Sequence, residues 1–242
     1  MGGILCEAGV MKKEKFAVCF YGYPGSGKGT QADLVAKKFG ATHFNTGVML
    51  QTLWYDPTRQ DDPTVISEKA LFEAGKLNTP SFVLGEVAEA TRQIAAAGGS
   101  VVFSGSPRTI FEAEGLVPTL EELYGREHMF FFFMEVDKDE PLKRNGIRKL
   151  CKECETPVLM RFYAAADGTL YEPFFCPLCG GSLYRRTLDD PTTIPKRVAE
   201  YEERTFPILD YLKKNGHTVH NIDGRGAPYV AFRAIAKIVG GE

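Results

Sequence analysis

The chain alternates short apolar runs with longer stretches whose apolar positions recur every three or four residues. Lys15-Phe-Ala-Val-Cys-Phe-Tyr21 is an apolar and aromatic run that stops at glycine, and Lys28–Phe39 follows with Leu34, Val35 and Phe39 at helical spacing. That order reads strand, glycine loop, helix. Ser100-Val-Val-Phe103 and Met129–Val136 repeat the signal of a buried strand, each followed by a helical segment, near Glu112–Tyr124 and Asp139–Lys149. The C-terminal third keeps this grammar: a long helix near Thr193–Lys214, a strand at His217–Ile222, an Asp223-Gly224 turn and a helix near Tyr229–Val239. Strands alternating with helices predict an α/β fold with a parallel sheet flanked by helices.

Two stretches interrupt the alternation. Residues 46–79 carry Pro57, Pro63 and many polar groups, whereas 150–186 hold four paired cysteines together with Pro157, Pro173 and Pro177. Both read as insertions into one core, which suits a chain of 242 residues with 44% hydrophobic content better than two independent domains. The expected organisation is an N-terminal extension at 1–14, a core made of 15–45, 80–149 and 187–242, and insertions at 46–79 and 150–186.

Composition mainly excludes. The formal charge of −2 sets 29 basic against 31 acidic residues, so no general basic field points to nucleic acid or to an anionic membrane surface. Any anion site must be local. The strongest apolar run, Met129-Phe-Phe-Phe-Phe-Met134, falls far short of the ~20 residues that span a bilayer. Met1–Lys15 lacks a basic segment followed by a sustained apolar one, which argues against a secretory leader and makes the cytoplasm the expected location.

Gly22-Tyr-Pro-Gly-Ser-Gly-Lys-Gly-Thr30 matches the G-x-x-x-x-G-K part of the phosphate-loop pattern and lies between a predicted strand and a predicted helix. Glycines at 25, 27 and 29 let backbone N–H groups converge on phosphate oxygens. The helix N-terminus adds positive potential, and Lys28 supplies a cation for the β- and γ-phosphates. After the lysine, where Ser or Thr usually ligates Mg²⁺, stands Gly29; the hydroxyl comes one residue later, on Thr30.

Cys151-Lys-Glu-Cys154 and Cys176-Pro-Leu-Cys179 form two C-x-x-C knuckles separated by 21 residues, close to zinc-ribbon spacing. Four thiolates leave no open coordination position, so the expected ion is a structural zinc that supports a small subdomain with little core of its own. A redox dithiol pair and a nucleic-acid-binding ribbon are the competing readings. Two matched knuckles fit an ion better than the first, and the mixed charges of the segment do not favour the second.

Gly-x-Pro-Gly-x-Gly-Lys-Gly-Thr, continued by Gln31, resembles the phosphate loop of the adenylate kinase family, and the resemblance extends from about Phe16 to Val239. Thr46-Gly47, Met49-Leu50, Gly75-Lys76-Leu77, Pro107-Arg108-Thr109, the Arg144/Arg148 pair entering the cysteine segment, and Arg197 beyond it are similar to family motifs. The resemblance implies a P-loop NTPase-type sheet, an NMP-binding insertion at 46–79 and a zinc-ribbon-like lid at 150–186. It implies reversible transfer between ATP and AMP, with Mg²⁺ accompanying ATP, in a monomer. The alternatives are an NMP kinase with another acceptor, or a catalytically weak nucleotide-binding homologue.

By the same resemblance Lys28, Arg108, Arg144, Arg148, Arg186 and Arg197 are catalytic. The ATP site comprises Gly25, Ser26, Gly27, Lys28, Gly29, Thr30, Arg144 and Ala227. The acceptor site comprises Thr46, Gln51, Lys76, Leu77, Asn78, Gly105, Arg108, Glu112, Arg186 and Arg197. Arg144 and Arg148, four apart, are expected on one face of a helix, and Arg185 is an alternative to Arg186.

Departures cluster at the acceptor. Val48 replaces an acid, Gln51 the arginine that clasps the acceptor phosphate, and Ser104 the acid that helps to hold hydrated Mg²⁺. Glu112 replaces a glutamine that reads the base, and Leu188 a lid acid next to Asp189. Arg59 is a candidate replacement cation.

Overall fold

Ala17–Tyr21 form β1, every residue of which is buried, as a strand covered on both faces requires. In the computed structural model, which describes residues 14–73, 78–159, 163–164, 170–171, 173–185, 189–190 and 192–240, β1 is the middle of a five-stranded parallel sheet. The other strands are β2 (Thr42–Phe44), β3 (Val101–Phe103), β4 (Met129–Glu135) and β10 (Val219–Asp223), in the order β10-β4-β1-β3-β2. Cys19 lies opposite Phe103 on one side and Phe131 on the other.

Alternate residues of β1 feed two cores. Val18 and Phe20 pack with Val35, Val102, Phe132 and Ile235 beneath α1 (Lys28–Phe39) and α9 (Pro228–Gly240). Ala17, Cys19 and Tyr21 face the larger core, which includes Val87, Leu116, Leu120, Ile208 and Leu212 of α4 (Pro80–Ala96), α5 (Ile110–Tyr124) and α8 (Pro207–Lys214). Cys19 is thus a buried strand residue. Parallel strands with helices on both faces put every strand's C-terminal end at one edge, and that edge carries the phosphate loop.

The predicted βαβ elements are present, with three instructive differences. Strand β2 and helix α4 have no counterpart among the predicted elements, although Val83, Val87, Thr91 and Ala95 of α4 are buried at helical spacing. The helix expected over Asp139–Lys149 is α6 (Glu140–Ile147), and Arg148 opens a strand, β5 (Arg148–Cys151), held antiparallel to β6 (Pro157–Leu159) and β9 (Leu183–Tyr184). The long helix expected over Thr193–Lys214 is α7 (Ile194–Glu200), a π-helical turn at Tyr201–Thr205, and α8. Pro207 has no N–H to continue the ladder. The Phe206 N–H reaches back five residues to the Tyr201 carbonyl and absorbs the mismatch.

The acceptor-side insertion contains two helices, α2 (Thr46–Trp54) and α3 (Pro63–Glu73). Trp54 of α2 is buried against Phe72 and Phe82, tying the insertion to α3 and to the start of α4. A further two-stranded ribbon joins β7 (Tyr163–Ala164) to β8 (Leu170–Tyr171). Among the described residues no helix is long and apolar enough to cross a membrane.

Candidate active site

The phosphate loop turns on backbone that side chains would block. Gly22 has φ 140, and a Cβ there would lie 2.7 Å from the Met134 carbonyl; Gly25 has φ 84, and a Cβ would press on the Asn145 amide at 2.9 Å. Gly27 caps α1 in the left-handed region, while Gly29 and Thr30 lie in its first turn. Ser26 is buried, its N–H bonded to the Tyr23 carbonyl at 3.0 Å.

The half-buried Lys28 donates to the Gly22 and Tyr23 carbonyls, the latter at 2.8 Å. Burial, and after it the guanidinium groups of Arg108, Arg197 and Arg148, lower its pKa to about 7. Cations from four separate elements therefore share one electrostatic neighbourhood.

Arg148 does not share the helical face of Arg144, contrary to the sequence expectation, because the chain leaves α6 at Ile147 and turns into β5. The two serve different ends of the site. Arg148 grips Asp189 with Nε at 2.9 Å and Nη2 at 2.5 Å, and Arg197 Nη1 approaches the same carboxylate at 3.6 Å. Asp189 is fully buried, and its carboxylate meets two guanidinium groups at the site.

Arg144 instead donates to the Gly224 carbonyl at 2.9 Å and the Arg225 carbonyl at 3.3 Å, bracing the turn that leads to Ala227. The Ala227 carbonyl itself accepts from the Val230 N–H at the start of α9. Arg185 donates to the Gly146 carbonyl at 2.8 Å; Arg186 and Leu188 lie outside the described residues.

On the acceptor side, Thr46 and Ser106 exchange a buried hydroxyl contact at 2.6 Å, and Arg108 Nε donates to the Gly105 carbonyl at 2.7 Å. Glu112 is buried and caps its own helix: it accepts from the Arg108 N–H at 2.8 Å and the Thr109 hydroxyl at 3.2 Å. Burial pushes its pKa up against these donors. Gln51 and Val48 are exposed on α2.

Asn78 spends its amide on the Glu68 carbonyl and carboxylate at 2.8 and 2.9 Å. Lys76 and Leu77 lie outside the described residues. Arg59 is committed to Glu86 at 2.7 Å and Asp62 at 3.4 Å, so its charge is already met on the α4 side of the insertion.

The four cysteines meet at the base of the β5–β6–β9 sheet, with all four Sγ atoms within 4.8 Å of one another and Cys151 3.4 Å from Cys179. Zn–S bonds of about 2.3 Å in a tetrahedron give S···S edges of about 3.8 Å, so the quartet fits a zinc ion. Both knuckles close alike. Glu155 and Gly180 each follow the second cysteine with φ of 54 and 74, and their N–H groups reach the Cys151 and Cys176 carbonyls.

Hydrogen bonding with Thr156 brings the Cys154 thiol down to about 6. Cys179, despite the Gly181 N–H, is held up to about 12 by the neighbouring sulfurs.

Three features escaped sequence reading. His43 bridges Asp33 (2.6 Å from Nδ1) and Ser104 (2.8 Å from Nε2). Asn145 is fully buried beside Gly25, and neither heteroatom of its amide has a hydrogen-bond partner among the described residues. Tyr201, on the π-turn, packs at a tilt against Tyr23 with ring centroids 5.1 Å apart, and its ring centroid lies 5.9 Å from the Lys28 ammonium. Pro207, which cannot continue a helical ladder, is the sequence signal that could have pointed to the turn carrying Tyr201.

A strand-loop-helix phosphate cradle whose lysine sits among arginines from three other parts of the chain fits transfer of a phosphoryl group, and the fold and site are those of a P-loop phosphotransferase. Known proteins narrow the class. The family described as Adenylate kinase matches residues 20–217. The chain is 30% identical over 221 residues to the adenylate kinase of Bacillus licheniformis (91% of this chain, 96% of the relative). It is 33% identical over 215 residues to that of Carboxydothermus hydrogenoformans (88% and 94%), and 32% identical over 222 residues to that of Methanothrix thermoacetophila (92% and 97%). The chain belongs to the adenylate kinase family of nucleoside monophosphate kinases.

Proposed function

We propose that this chain catalyses ATP + AMP ⇌ 2 ADP, with the donor triphosphate on the Gly22–Thr30 loop and the acceptor between Thr46, Gly105 and Arg108. The observation that carries this reading is the convergence of Arg108, Arg148 and Arg197 on Lys28. A monophosphate acceptor is already anionic, so the enzyme needs alignment and neutralisation of charge and no strong general base. Loop N–H groups and Lys28 hold the β- and γ-phosphates, Arg108 takes the acceptor phosphate, and Arg148 and Arg197 close over the transferring group. Arg144 holds the turn whose following backbone, at Ala227, lies against the donor base.

Mg²⁺ carried in with ATP would supply neutralisation of the phosphate charge. Thr30, in the first turn of α1, and Ser104, just past β3, offer neutral oxygens. They suit an ion that keeps several waters and takes most other ligands from phosphate. Residues 150–186 act as a lid stiffened by zinc on Cys151, Cys154, Cys176 and Cys179. Residues 46–79 act as the acceptor-binding insertion, and 15–45, 80–149 and 187–242 as the core. Cysteines held by zinc and not joined in disulfides suit a reducing compartment, the cytoplasm. Both substrate sides are furnished by one chain, which supports a monomer.

The test is a screen of purified enzyme with ATP·Mg²⁺ against AMP, CMP, UMP, GMP and deoxynucleotides. ADP formed fastest with AMP is the expected result; turnover of another monophosphate without AMP turnover sinks the AMP assignment.

A further inference from the structure

Ser104 follows β3, and β3 runs parallel to β1, so the serine lies at the sheet edge from which the phosphate loop departs. The residue is half-buried, and its hydroxyl meets His43 Nε2 at 2.8 Å. His43 sits in the edge strand β2 with its side chain 17% exposed, and its Nδ1 meets Asp33 of α1 at 2.6 Å. Three elements thus contribute one continuous chain of hydrogen bonds that ends beside the phosphate loop.

The direction of that chain follows from its outer end. With the Asp33 carboxylate as acceptor, a neutral His43 donates from Nδ1, and in that tautomer Nε2 is an acceptor. In that tautomer Ser104 donates its O–H to Nε2. With its only proton committed, the Ser104 oxygen presents lone pairs alone to everything else around it. Polarisation along the chain makes that oxygen a stronger acceptor than an isolated hydroxyl. A freely rotating serine would do neither, since its proton turns to suit whichever neighbour is present.

We propose that Asp33 and His43 are positioning residues that fix Ser104 as an acceptor for a water on the metal ion of bound ATP, so that the carboxylate absent from position 104 acts from two hydrogen bonds away. This rests on the kinase reading of the site. A bridging histidine that merely ties α1 and β2 to β3 would produce the same distances, and the experiment separates the two.

Binding of the β,γ-imido analogue of ATP is measured by titration calorimetry with EDTA and with saturating Mg²⁺; the ratio of the two affinities is the metal coupling factor. Asp33 is 47% exposed in its side chain, so Asp33→Asn removes the charge with little effect on packing. It is expected to shrink the coupling factor about tenfold or more, leaving metal-free affinity unchanged, as loss of an outer-sphere partner does. In a Ser104→Asp background, where a carboxylate meets the metal water directly, Asp33→Asn is expected to have no effect.

The proposal is overturned if Asp33→Asn leaves the factor unchanged, weakens metal-free and metal-loaded binding equally, or acts equally in the Ser104→Asp background. Failure of the kinase reading looks different: the wild-type enzyme would bind the analogue with metal coupling yet transfer nothing to any monophosphate.

Discussion

Arg148 and Asp189, 41 residues apart, meet in a two-pronged ion pair, and the same buried carboxylate draws in Arg197. This one acid pairs with two of the guanidinium groups that bear on Lys28. Asp189→Asn keeps the shape and removes the charge. Breaking such a buried arrangement is expected to cost about 3 kcal/mol of stability, read by thermal or denaturant unfolding, and to lower kcat at least tenfold because both arginines lose their aim.

Lys28 gives the enzyme a pH signature. Its pKa in the fold is about 7 against an ordinary 10.5, so between those values the unfolded chain holds a proton that the folded chain lacks. The slope of stability with pH is then positive for this group: its cost is full below about 7 and is relieved toward 10.5. A bound triphosphate restores the ammonium. ATP binding at pH 8 should therefore take up protons, which calorimetry in buffers of different ionisation enthalpy will detect, and Lys28→Met should abolish the uptake.

The cysteine quartet predicts one zinc per chain by elemental analysis of native enzyme. Removing it with a strong chelator, or substituting Cys151→Ser, is expected to lower the melting temperature and to weaken catalysis through the lid. Native enzyme with no bound metal would contradict the assignment.

Glu155 occupies a left-handed backbone position that glycine fills in the second knuckle, at Gly180. Relieving that strain with Glu155→Gly is expected to stabilise the lid by about 0.5–1 kcal/mol, visible as slower amide exchange over 148–159 and 173–185 and no change in zinc content.

Gln51 stands where the family resemblance implies an arginine, and Arg59, the nearest substitute in sequence terms, is paired with Glu86 and Asp62. Gln51→Arg should therefore add a charge-assisted contact to the acceptor phosphate, lowering KM for AMP about tenfold with little change in kcat. An unchanged KM would mean that position 51 does not face the phosphate.

Much of this was legible along the chain. The phosphate loop and the two cysteine knuckles are local patterns in which spacing alone sets geometry, and the run at 15–21 followed by helical spacing at 28–39 identified β1 and α1 to within two residues. Where backbone closure competes with periodicity the reading slipped. Arg148 belongs to a strand because β6 and β9 pair with it, and Pro207 forces a π-turn into what reads as one helix.

The sequence by itself determined which chemical groups are available: a phosphate cradle, a set of arginines and a thiolate quartet. The tertiary structure alone decided who partners whom. Asp33, His43 and Ser104 are joined by the parallel register of β2 and β3 under α1, and Arg148 finds Asp189 across the lid. Such pairings depend on strand order and crossover connections, which bring together residues whose separation along the chain carries no periodic signal.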